Sequence, residues 1–181
     1  ELGEPIVQTF LDCGDDDAQR RPMTSRWVFL IAFALVFYGT GAAFIESFVN
    51  YSSWHLIGAA QFTQYHRFIS PRVIAYLVAP MLLGTVFTIA LLRFRPPVIP
   101  LWSVWLALVL QAIVWVSTAT IQLPIQFALS ADGLNVALID RLIETNIWLR
   151  RIPYGGCAAL FLWMASRLVR AADVTSMRNA L

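Results

Sequence analysis

The sequence predicts an all-α, polytopic membrane protein: a bundle of four transmembrane helices with an interfacial outer helix between the first and the second. Three observations predict it. Hydrophobic residues make up 59% of the chain and charged residues 13%, against about 45–50% and about 25% in ordinary soluble domains. A soluble fold of 181 residues cannot cover itself with so few charges. Four apolar runs follow one another, each of ~20 residues or more, enough to cross about 30 Å of hydrocarbon as a helix. Backbone groups in hydrocarbon must be bonded within the segment, so those runs are helices and not loops.

Residues 1–25 form an acidic cytoplasmic tail of low order. Positions 1–22 hold six acids and two arginines, the opposite of the basic start and apolar core of a signal peptide. The four-helix membrane domain covers 26–170. Its first run, "WVFLIAFALVFYGTGAAFIESFV" over 27–49, carries Gly39, Gly41, Ala42 and Ala43, a small-residue face suited to close helix packing. Next comes "WHLIGAAQFTQYHRF" over 54–68, an amphipathic stretch expected to lie on the outer face of the bilayer or in the bundle mouth.

The second run covers 73–92 and the third 98–123. The short, proline-rich "RFRPPVIP" between them makes these two helices an antiparallel hairpin. The fourth run, 146–169, leads into a short cytoplasmic C-terminal tail, 171–181. Pro80, Pro124 and Pro153 are expected to kink or interrupt their helices. Six of the seven tryptophans (all but Trp115) fall near predicted membrane interfaces, where amphipathic rings settle. With the N-terminus inside, the arginines divide eight to five in favour of the cytoplasm. That bias predicts both termini cytoplasmic, in a bacterial inner membrane. No basic run marks a nucleic-acid partner. Two cysteines make no disulfide framework.

The chemistry sits in the polar residues toward the outer ends of the helices. If 54–68 is one helix, His55 and His66 share a face but lie about 16 Å apart along it. One metal ion needs three or four ligands at ~2 Å, so no metal site is expected there. Arg150 and Arg151 lie a few residues into the fourth run. An ionisable group at that depth costs ~2–3 kcal/mol unless it is paired or reaches water. Glu46 stands at matching depth with the opposite sign, and Asn146, Gln122 and Gln126 lie on the same side. Glu46, His66, Gln122, Gln126, Asn146, Arg150 and Arg151 are therefore the candidate site, with Glu46 expected to face an arginine. Two readings of the cluster stay open: a structural ion pair with interfacial anchors, or a pocket for a quinone, an aromatic substrate or a lipid headgroup. Gln111, near the middle of the third run, reads as an interhelical hydrogen bond. No Ser-His-Asp order, phosphate loop or CxxC motif occurs.

The segments "QYHRF", "RFRPPVIPLW", "QLPIQFAL" and "ETNIWLRR" give residues 27–170 a layout that resembles the anthrone-oxygenase-like small four-helix membrane proteins (the DUF1772 group). The resemblance implies a four-helix bundle acting on polycyclic aromatics with oxygen. Without a cofactor-binding set, the sequence favours a non-catalytic integral membrane subunit of a larger, energy-converting complex. Its expected partners are lipid and other membrane subunits; no cofactor is predicted, although its grooves leave room for contact with a quinone, a pigment or a lipid. The alternative is a membrane-bound oxygenase or quinone-linked enzyme acting on an aromatic substrate at the outer-leaflet polar pocket.

Overall fold

The computed structural model describes residues 23–173 together with Met177. The acidic tail expected over 1–25, except for 23–25, and most of the C-terminal tail 171–181 lie outside the described residues. Four helices fill the described range: α1 (Met23–Leu56), α2 (Ala59–Phe94), α3 (Leu101–Asp132) and α4 (Val136–Asp173). Each is long and apolar enough to cross a membrane, and the described residues contain no strand. The chain is an integral membrane protein built as a four-helix bundle. Its helices contact in a ring, α1 with α2, α2 with α3, α3 with α4, and α4 with α1.

Each connection is short for a local reason. Ile57 and Gly58 are extended and break the chain between α1 and α2. Pro96, Pro97 and Pro100 prevent α2 from running into α3. Gly133, at φ 85°, ends α3 in a conformation that a Cβ disfavours. Asn135 then caps α4, its side chain accepting from the Leu138 amide at 3.2 Å.

The helices contain 32–38 residues, which at 1.5 Å per residue is ~48–57 Å. That exceeds a hydrocarbon core of about 30 Å, so part of the bundle stands outside it. The exposed residues show which part. Gln61, Gln64, Arg67, Asp140, Arg141 and Glu144 are exposed around the histidine end, where His55 lies. Leu30, Leu106 and Leu162 are exposed toward the other end, where Met23 and Asp173 lie. We assign the histidine end to water, as a cap, and the flank of the terminus end to lipid, with the exposed Arg26, Arg93, Arg167 and Arg170 at its far edge.

The buried stripes give the interior three levels. At the terminus end Phe29, Leu91, Val104, Phe161 and Met164 form an apolar core. In the cap, Trp54, Phe62, Leu129, Ile139 and Leu142 form a second. Between them the same stripes turn polar, with Thr40, Ser47, Gln111, Ser117, Gln122, Asn146 and Arg150 all buried.

Two sequence expectations change here. The segment Ala59–Val73 is not a separate interfacial helix. It runs on into the rest of α2 and packs upright against the end of α3, because Phe62 and His66 are drawn into the cap core. The small-residue face of α1 is also narrower than expected. A Cβ on Gly39 would lie 2.8 Å from Met81 Cγ, whereas Gly41 faces open space. The close approach to α2 is completed from the other side by Gly84, whose added Cβ would sit 3.3 Å from Leu35 Cβ.

Candidate functional site

Every helix widens by one turn near the polar level. The wide, i→i+5-bonded turns are Glu46–Asn50 in α1, Ile74–Val78 in α2, Thr118–Gln122 in α3 and Ile147–Arg151 in α4. Three of them end two residues before a proline: Pro80, Pro124 and Pro153. A proline has no amide to give the carbonyl four residues back, and its ring crowds that carbonyl. Widening relieves the crowding, and neighbouring helices supply substitute donors. The Tyr38 hydroxyl donates to the Tyr76 carbonyl at 2.8 Å, and Ser117 reaches the Leu149 carbonyl at 3.4 Å. The turn in α1 has no proline after it. Wide turns of this kind concentrate at functional sites. In α3 the turn shifts the buried stripe by five positions, from Ser117 to Gln122, which brings the glutamine inside.

These turns surround a cavity of about 150 Å³. Its floor carries Glu46 and Tyr51 from α1, Gln122 and Gln126 from α3, and Arg150 from α4. Its mouth lies between α2 and α3, where Ile74, Leu123 and Phe127 are also exposed on the bundle surface. Two floor residues are incompletely bonded. Gln122, 2% exposed, gives its amide nitrogen to Thr145 Oγ1 at 3.4 Å, and its Oε1 has no partner. Arg150, 7% exposed, has the hydroxyls of Tyr51 and Tyr154 as polar neighbours, but its Nε has no partner. Nearly all buried polar groups in proteins are bonded, and each exception calls for an explanation.

The expected residues divide into three groups. Glu46, Gln122, Gln126 and Arg150 share the cavity. Glu46 shares the cavity with Arg150, and its hydrogen bond is with Asn50, whose Nδ2 donates to its Oε1 at 2.8 Å. Asn146 and Arg151 instead meet Ser47. Asn146 Nδ2 donates to Ser47 Oγ at 2.5 Å, Arg151 Nε donates to the same oxygen, and Arg151 Nη2 donates to the Ser47 carbonyl at 3.1 Å. Ser47 faces α4 within the wide turn of α1, and it is the neighbouring serine that ties these two helices together.

His66 stands behind the cavity wall with both ring nitrogens occupied. Nε2 lies 2.7 Å from Gln126 Oε1 and Nδ1 lies 2.9 Å from Ser130 Oγ. Its ring stacks on Phe62 at 5.7 Å and meets the Trp54 edge at 5.3 Å. His55 belongs to α1, beyond the Ile57–Gly58 break, and pairs with Asp140 at 3.2 Å. The two histidines do not share one helical face.

Sequence reasoning missed Asn50, Ser47, Tyr51 and Tyr154. Asn50 is the hub of the α1 end: it donates to Glu46 and accepts from Trp54 Nε1 at 3.2 Å and the Tyr65 hydroxyl at 2.8 Å. The four-residue spacing Glu46–Asn50–Trp54 was the available signal. The chain matches no protein-family model, no curated protein and no solved structure.

Proposed function

We propose that the cavity between α2 and α3 binds a small, oxygen-bearing aromatic ring compound of the quinone or phenol class, and that the ligand enters sideways from the bilayer. One observation carries the reading. A buried donor, Arg150 Nε, and a buried acceptor, Gln122 Oε1, lack partners at one cavity. A ring with one carbonyl and one hydroxyl satisfies both. The volume supports a single ring: a cavity of about 150 Å³ is the size that admits one benzene. A polycyclic substrate fits only with its further rings in the mouth. Glu46 beside Arg150 keeps the floor near neutrality and offers a carboxylate for proton exchange with a hydroxyl. On the arginine bias the cap faces away from the cytoplasm, which puts the cavity on the outer side of a cell membrane. This reading favours a quinone-linked or oxygen-using enzyme over a non-catalytic subunit, because a subunit that only packs has no need of two unbonded polar atoms.

Equilibrium binding of 2-hydroxy-1,4-benzoquinone, a single ring that carries both carbonyl and hydroxyl, to the purified protein tests the proposal. Arg150→Met is expected to weaken binding by at least tenfold, about 1.4 kcal/mol. Glu46→Gln should release ligand while the melting temperature barely moves. A large fall in melting temperature with binding unchanged would make the cluster structural. Equal binding by Arg150→Met, or a stable partner chain in native mass spectra of the gently extracted protein, would return the subunit reading to first place.

A further inference from the structure

A second, smaller pocket lies among the helices, between the polar level and the apolar core of the terminus end. It measures about 30 Å³, and its walls include Thr40, Gly84, Gln111, Tyr154 and Cys157. Two of these residues carry the other buried oxygens without partners: Thr40 Oγ1 and Gln111 Oε1. Thr40 is 8% exposed and Gln111 9%.

Thr40 differs from five other helical threonines. Thr85, Thr88, Thr118, Thr120 and Thr145 each donate to the carbonyl four residues back in their own helix. That bond is the ordinary resting place of a helical threonine. Thr40 forgoes it, although α1 is helical throughout that turn. Gln111 is held from one side only: its Nε2 donates to Thr88 Oγ1 at 3.0 Å and approaches Cys157 Sγ at 3.6 Å. Whichever way its amide is oriented, one of its two polar atoms remains unbonded. The Tyr154 hydroxyl, by contrast, is engaged: it donates to Met81 Sδ at 3.2 Å and faces the Arg150 guanidinium.

We propose that Thr40 and Gln111 hold internal water in this cavity. A space of that size exceeds the ~10–15 Å³ that one water needs, and the two unpartnered oxygens meet the two to four polar groups that buried water uses. The water site adjoins the ligand cavity through one side chain, because the Tyr154 ring that lines it lies 6.0 Å from the Arg150 guanidinium carbon. Toward the terminus end it is closed. Leu91, Val104, Ala107 and Phe161 are fully buried there and offer no polar atom in their side chains. That apolar packing blocks exchange of water and protons between this site and the terminus end.

Hydroxyl-radical footprinting by a short X-ray pulse tests the inference on the intact protein in nanodiscs, since radicals made from bound water oxidise adjacent sulfur. Cys157, at the cavity, is 4% exposed, and Met164, in the apolar core, is fully buried. Cys157 should oxidise several-fold faster than Met164. Thr40→Val with Gln111→Leu should bring Cys157 down to the Met164 rate, and Thr40→Ser should keep the native rate. If the double variant does not fold, the isosteric Thr40→Val alone should at least halve the Cys157 rate. Cys157 as slow as Met164 in the natural protein, or unchanged labelling in a folded Thr40→Val variant, would overturn the proposal.

Discussion

Phe62 and Phe161 are the same residue, and both are fully buried. They nevertheless hold different halves of the bundle by different forces. Phe62 belongs to the watered cap, where burying a ring removes apolar surface from water. Phe161 belongs to the lipid-clad half, where an unfolded helix would still have its side chains among hydrocarbon. Its packing gains contacts but no transfer free energy. The cap therefore carries a large hydrophobic stabilisation in a small volume. The lipid-clad half relies on close fit, and its mark is Gly84, where an added Cβ would lie 3.3 Å from Leu35 Cβ.

Paired truncations sharpen that contrast most strongly. Phe62→Ala should cost ~3–5 kcal/mol, the usual figure for a buried ring in a water-surrounded core. Phe161→Ala keeps only the cavity part, roughly 2 kcal/mol if ~100 Å³ opens at ~24 cal/mol per Å³. Chemical unfolding in lipid nanodiscs measures both, and equal costs would break the distinction between the halves. A smaller effect is expected at His66→Leu. It leaves Gln126 and Ser130 without their ring partner and should cost ~1–3 kcal/mol, with cap melting affected before the spans. The smallest is Asn135→Ala, which removes the cap of α4 at about 1 kcal/mol. Hydrogen exchange should show it as fraying confined to the first turn of α4.

The same contrast explains what was legible in the sequence. Hydropathy reports on every residue that meets lipid, so four spans and their order could be read directly. The prolines were legible as places of irregularity, because a missing amide is a property of one residue. What that irregularity does to the register was not, since a wide turn depends on how neighbouring helices satisfy the freed carbonyl, as Tyr38 does for Tyr76. The candidate site was legible as a depth and a set of polar residues. Four of the seven line one cavity. The partners were legible only in part: the charge argument pointed Glu46 toward an arginine, and Glu46 does share the cavity with Arg150, but the local turn placed Asn50 against it and gave Arg151 to Ser47. Formal charge sets how much a partner is needed. Backbone register sets who the partner is, and register at a wide turn leaves no periodic trace in one sequence.

The four wide turns have a consequence for how this bundle tolerates changes in length. One extra residue in a regular helix rotates everything beyond it by about 100°, which in α1 would swing Trp54 out of the cap core. A wide turn is a helix that has already absorbed one such residue. Deleting a single position within Thr118–Gln122, together with Pro124→Ala, should let α3 close to regular winding with the cap still in phase with the membrane half, whereas closing the turn without the deletion would put the two out of phase by about that angle. These turns work as phase adjusters between two lattices of packing, one set by lipid and one by water, and the ligand cavity occupies the seam where the two lattices meet.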